Sequence, residues 1–132
     1  MHLLDTMVVS DLVRRPHGKL AQRVARMPAE RVATSIICAG ELRYGAERAG
    51  STRLTFQLDE VLRSLAVLPL GDDADHHYGK LRARLERDGR VIGANDMLIA
   101  AHALALGATL VTDNLREFER VEGLATENWL RD

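Results

Sequence analysis

No apolar run in this 132-residue chain approaches the ~20 residues that cross a bilayer, so no membrane helix is expected. Cysteine is almost missing. The single Cys38 excludes an internal disulfide. No basic stretch precedes an apolar segment at the N-terminus, so no export signal is expected, and the cytoplasm is the expected compartment. Neither charge dominates: the net charge is -1 and the pI about 6.5. A non-specific nucleic-acid coat would be strongly basic, so that class is excluded, though a local basic rim is not. Lysine is scarce as well, Lys19 and Lys80 being the two among eighteen basic residues. Arginine suits bidentate phosphate contacts, but base composition of the genome explains the bias more plainly. There is no tandem repeat, low-complexity tract, Gly/Ser-rich linker or Gly-rich phosphate loop. The five histidines, His2, His17, His76, His77 and His102, lack zinc spacing.

What is present is alternation. Hydrophobic residues make up 46% of the chain, enough for one domain spanning 1–132 with its own core. Residues 3–5 read as a buried strand and 7–14 as a short helix. Pro16 is expected to start a helix running to 27, with Pro28 beyond it. Residues 31–34 fit a second strand, and Ser35 is expected to cap a helix through 48, followed by Gly50. Leu54, Leu58, Val61, Leu62 and Leu65 predict a helix over 52–64. Residues 66–68 are a third strand ended by Pro69, and 72–87 a polar helix closed by Asp88 and Gly89. Asn95 is expected to cap a helix that stops at Gly107. Residues 109–112 form a fourth strand, 114–118 a helical turn, and 124–126 an edge strand.

Short apolar strands alternating with helices indicate an α/β fold, a parallel sheet covered on both faces. Right-handed crossovers put all strand C-termini on one edge, where ligands bind at the point of strand-order reversal.

Four acidic residues stand where the chain changes character: Asp5, Glu41, Asp96 and Asp113. Each has an ordinary reading. Asp5 and Asp113 suit helix caps, Asp96 suits a helix N-terminus, and Glu41 suits a surface pair with Arg43 or Arg48. Together they imply more. Asp5 and Asp113 fall at strand ends and Asp96 at a helix start, so three project into one crevice, and Glu41 can reach back to it. Two carboxylates ~4 Å apart repel by about 4 kcal/mol at an effective dielectric of about 20. Without a counter-ion some would take up protons. Magnesium, with manganese as a substitute, relieves this, because all-oxygen sites suit hard ions. The chemistry implied is phosphodiester hydrolysis.

The segments Leu3-Leu-Asp-Thr6, Glu41-Leu-Arg-Tyr-Gly45, Asn95-Asp-Met-Leu-Ile-Ala-Ala101 and Thr112-Asp-Asn-Leu-Arg-Glu-Phe118 resemble the PIN-domain ribonucleases, specifically the VapC-type toxins of toxin–antitoxin modules. The resemblance spans nearly the whole chain. It implies a three-layer α/β/α PIN-like domain with a short central parallel sheet. It further implies a magnesium-dependent endoribonuclease acting on RNA, with tRNA expected. Its partners would be a VapB-type antitoxin and a second copy in a homodimer. The acidic motif positions fall on Asp5, Glu41, Asp96 and Asp113. Asp5 and Asp96 are expected as direct metal ligands, and Glu41 and Asp113 as completing the site. Such toxins usually carry Asn where this chain has Met7, and a thioether donates no hydrogen bond. A PIN scaffold that binds RNA or protein without cutting is the alternative this departure raises.

Around the acids, Arg43 reads either as a phosphate clamp or as a surface pair. Arg116 is the leading candidate for an RNA-facing arginine. Tyr44 is expected to pack at a helix interface, Cys38 in the core, and Trp129 over a sheet edge. The apolar stripe that includes Phe56 is expected to serve either the core or a partner surface.

Overall fold

The computed structural model describes residues 1–131. Five short strands, β1 (His2–Leu4), β2 (Val32–Ser35), β3 (Ala66–Leu68), β4 (Thr109–Val111) and β5 (Thr126–Glu127), pair in parallel in the order β3-β2-β1-β4-β5. The helices are α1 (Thr6–Arg14), α2 (Lys19–Ala25), α3 (Ile36–Ala49), α4 (Thr52–Ser64), α5 (Ala74–Arg87), α6 (Ala94–Leu106) and α7 (Leu115–Phe118).

Strand side chains alternate between faces, and that period builds the layers. Leu3, Ala33 and Leu110 enter one core with Cys38 of α3, Leu81 and Leu85 of α5, Ile99 of α6 and Phe118 of α7. Their neighbours Leu4, Val32 and Val111 enter the opposite core with Val8 and Val9 of α1, Leu20 of α2 and Trp129. Val13, Ala46 and Leu58 join α1, α3 and α4 in a third cluster. The result is the three-layer α/β/α arrangement expected from the sequence.

β1 lies mid-sheet, with Leu4 opposite Thr34 of β2 and Val111 of β4. The chain leaves β1 toward β2 and β3 on one side, then returns to β4 on the other. Strand order therefore reverses between β1 and β4, and the crevice opens at their C-terminal ends.

Local chemistry sets most boundaries. Ser35 and Ser51 cap α3 and α4 by accepting from the N–H groups of Ile37 and Leu54, each at 3.1 Å. Gly50 and Gly107 end α3 and α6 in the left-handed region, at φ 62 and 65. Two expected starts move. Pro16 sits in a turn closed by the Gly18 N–H on the Arg15 carbonyl, and α2 begins only at Lys19. Gly93, not Asn95, caps α6. β2 and β5 begin later than expected, at Val32 and Thr126. Phe56 stands out of the α4 stripe at 64% exposure while Leu58 is buried. Trp129 packs on the α1/α2 face, donates to Glu127 at 2.8 Å, and carries the Arg23 guanidinium 4.2 Å above its ring. Among the described residues no helix is long and apolar enough to cross a membrane.

Candidate active site

Asp5 follows β1 directly and caps α1. Its Oδ1 accepts from the Met7 N–H at 2.7 Å, and its Oδ2 from the Thr112 hydroxyl at 2.6 Å. The cap and the functional reading therefore coincide in one side chain. At 6% exposure Asp5 is buried. Burial pushes its carboxyl above the ordinary value; the hydrogen bonds pull it back and the Glu41 charge adds to the rise.

Glu41 lies on α3, half-buried. The Thr6 hydroxyl donates to its Oε1 at 2.5 Å, and the Asn95 amide donates to its Oε2 at 3.2 Å. One carboxylate thus ties the starts of α1 and α6 to α3. Asp96 occupies the first turn of α6. Burial, then Glu117, then Asp5 and Glu41 push its carboxyl up to about 7. The contact between Asp96 and Glu117 is a hydrogen bond that exists only while a proton lies between them.

Glu117, on α7, is the acid that sequence reasoning missed. Its Oε1 accepts from the Gly93 N–H at 3.1 Å, and its Oε2 from the Asn114 amide. Gly93 serves both acids, since a Cβ there would sit 3.2 Å from Asp96 Oδ2. A signal for Glu117 was present. Asn114 precedes a four-residue helix with Glu117 at its third position, the capping-box spacing that turns a side chain back toward the helix start.

Asp113 is held differently. β1 and β4 are neighbours, so its backbone reaches the crevice rim. Its Oδ1, however, accepts from Asn128 at 3.0 Å and from Arg131 at 3.1 Å, on the segment after β5. The neighbours that raise Asp96 are Glu117, Asp5 and Glu41. The structure therefore gathers Asp5, Glu41 and Asp96 with Glu117, and turns the Asp113 carboxylate to the C-terminal segment.

Arg43 pairs with Asp59 of α4, so its guanidinium is an intramolecular partner. Arg116 is exposed one residue before Glu117, without an ion-pair partner among the described residues. Met7 is 56% exposed and serves Asp5 only through its backbone. Tyr44 is exposed, contrary to the helix-packing expectation. Cys38 lies in the core as expected, its thiol pushed up to about 11 by burial.

The acids of the cluster offer oxygen ligands, which suit a hard divalent cation, and burial together with neighbouring anions keeps Asp96 raised. Among the described residues no three His, Cys, Asp or Glu side chains converge on one point. Asp5 and Glu41 are engaged by donors, and Asp96 faces Glu117. The donor set fits an ion in kind, and the Asp96–Glu117 contact must open to admit it.

The family model of the PIN domain matches residues 2–124. Ribonuclease VapC2 of Haemophilus influenzae is 38% identical over 130 residues, covering 98% of each chain. The tRNA(fMet)-specific endonuclease VapC of Shigella flexneri is 35% identical over 128 residues, covering 96% of each. The crystal structure of VapBC2 from Rickettsia felis bound to a DNA fragment from their promoter matches with a TM-score of 0.88 at 34% identity, covering 97% of this chain and 98% of that one.

Proposed function

This chain belongs to the PIN-domain family, among the VapC proteins, and from that premise we propose that it is the toxin of a VapBC-type toxin–antitoxin module. It acts as a metal-dependent endoribonuclease that hydrolyses RNA phosphodiester bonds. The observation that carries this reading is the carboxylate cluster at the β1/β4 reversal, with Asp96 pushed up to about 7 by burial and its acidic neighbours.

Asp5 and Asp96 would hold the ion, and Glu41 and Glu117 would complete the set. Magnesium, or manganese in its place, supplies charge neutralisation at the phosphate and lowers the pKa of water. Glu41, fixed by Thr6 and Asn95, orients the attacking water. Arg116 meets a neighbouring phosphate of the strand. Asp113, already balanced by Arg131, stands at the rim and is dispensable for chemistry. The name of the Shigella relative supports a tRNA substrate, and the Rickettsia complex supports a VapB-type antitoxin partner. A homodimer acting in the cytoplasm completes the reading.

The test is cleavage of end-labelled tRNA by the purified full chain, with magnesium, with EDTA, and with Asp5→Ala. Magnesium-dependent cleavage lost in the variant supports the reading. Undiminished cleavage by Asp5→Ala refutes it. A second reading, a PIN scaffold that grips RNA without cutting, is favoured by the lack of three converging carboxylates among the described residues and by Met7. Retention of uncut RNA at every metal concentration selects it.

A further inference from the structure

Glu41 is the acid of the cluster whose two oxygens are both met by side chains, from helices other than its own. Thr6 reaches Oε1 from the first residue of α1, and Asn95 reaches Oε2 from the first turn of α6. Asn95 is not the helix cap that its sequence position suggests, since Gly93 takes that place. Its amide is therefore free of local duty, and it is spent on a residue 54 positions away in the chain. Exposed Met7, two residues after Asp5, offers the cluster its backbone N–H but no side-chain amide.

We propose that Asn95 is a positioning residue: its Nδ2–H fixes the Glu41 carboxylate against Thr6 and so sets where the attacking water is held. The proposal rests on the hydrolytic reading above and adds to it the residue that orients Glu41. A carboxylate has about four lone-pair sites, so two donors leave about two for water and cation while removing side-chain rotation. The donors must be uncharged. A lysine or arginine here would neutralise the cluster and compete with a cation, whereas an amide and a hydroxyl orient Glu41 and leave its charge in place. Asn95 adjoins Asp96, so one turn of α6 fixes two of the acids relative to each other.

The contact itself is read without activity. In a 15N-labelled full-length sample, the side-chain amide resonance that disappears in Asn95→Ala identifies Asn95. That resonance shifts in Glu41→Ala. Kinetics read the consequence. Asn95→Ala lowers kcat about tenfold, the order expected for a lost hydrogen bond to a charged group, with KM for RNA and Tm unchanged. Asn95→Asp, the same shape with an acceptor facing Glu41, loses more than Asn95→Ala. An amide resonance indifferent to Glu41→Ala overturns the proposal, as does full activity in Asn95→Asp, or a fall in kcat that only follows a fall in Tm. If the wild-type chain cuts no RNA, the hydrolytic reading fails, and the resonance alone then judges whether Asn95 holds Glu41.

Discussion

Consider Asp96→Asn in metal-free protein. Burial and the acids Glu117, Asp5 and Glu41 push the Asp96 carboxyl from 3.8 up to about 7. Between those values the folded chain keeps a proton that the unfolded chain has lost. Stability from this group is thus fully present below the unfolded value and is lost as pH rises through about 7. If the group were wholly buried, so large a displacement would correspond to about 4 kcal/mol. Asp96 is only half-buried, and solvent screening reduces this to about 1 kcal/mol. For a domain of this size that is about 4 °C in Tm. An asparagine keeps the shape and carries no charge at any pH. Circular-dichroism melts in EDTA are therefore expected to show Asp96→Asn about 4 °C above wild type at about pH 8, about 1.5 °C above it at about pH 5, and level with it at about pH 3. A constant difference across that range would refute the raised Asp96 carboxyl, and with it the burial and acidic neighbours that the site is built on.

The proton on Asp96, leaving at about pH 7, must be displaced by a bound cation, so manganese affinity by calorimetry should weaken about 11-fold at pH 6 and about 2-fold at pH 7 relative to the ionised site; a flat profile contradicts this. Glu117→Gln should slow tRNA cleavage by about 10–100-fold, while Asp113→Asn stays within about threefold of wild type, its partner Arg131 being exposed; the reverse order would restore Asp113 to the cluster. Leu58→Ala, at a site 2% exposed against Val13 and Ala46, should cost about 2–5 kcal/mol in urea unfolding, and a cost near zero would mean that α4 is not packed on α1 and α3. His102 is fully buried with Ser35 on its Nδ1 at 2.8 Å, and burial lowers its pKa below 6.5; its contribution is present above 6.5 and lost as pH falls toward the lowered value, a loss that His102→Gln should not show.

Much of the fold could be read along the chain because the signals were local. Ser35 and Gly50 bracket α3 where a cap and a left-handed residue must stand. The apolar triplets became strands because a stretch buried on both faces has no polar alternation to obey. Pro16 misled, since a proline suits a tight turn as well as a first helical residue. Among the site residues, Asp5, Glu41 and Asp96 were legible because each abuts a buried segment. Asn95 was not, because an amide at a helix start looks the same whether it faces solvent or Glu41; Glu117 carried the capping-box spacing, but nothing along the chain marked Asp96 as its neighbour.

The order of residues alone determined the α/β alternation, the helix ends at glycine and serine, and the presence of an acidic motif. It could not determine partners. Asp113 and Glu117 lie four residues apart, and only the fold sends one carboxylate to Arg131 and the other to Asp96. The reason is physical: hydrogen bonds and charges act over a few ångströms in space, while Glu41 meets Asn95 across 54 positions of the chain and Asp5 meets Thr112 across 107. Those distances exist only once β1 lies between β2 and β4.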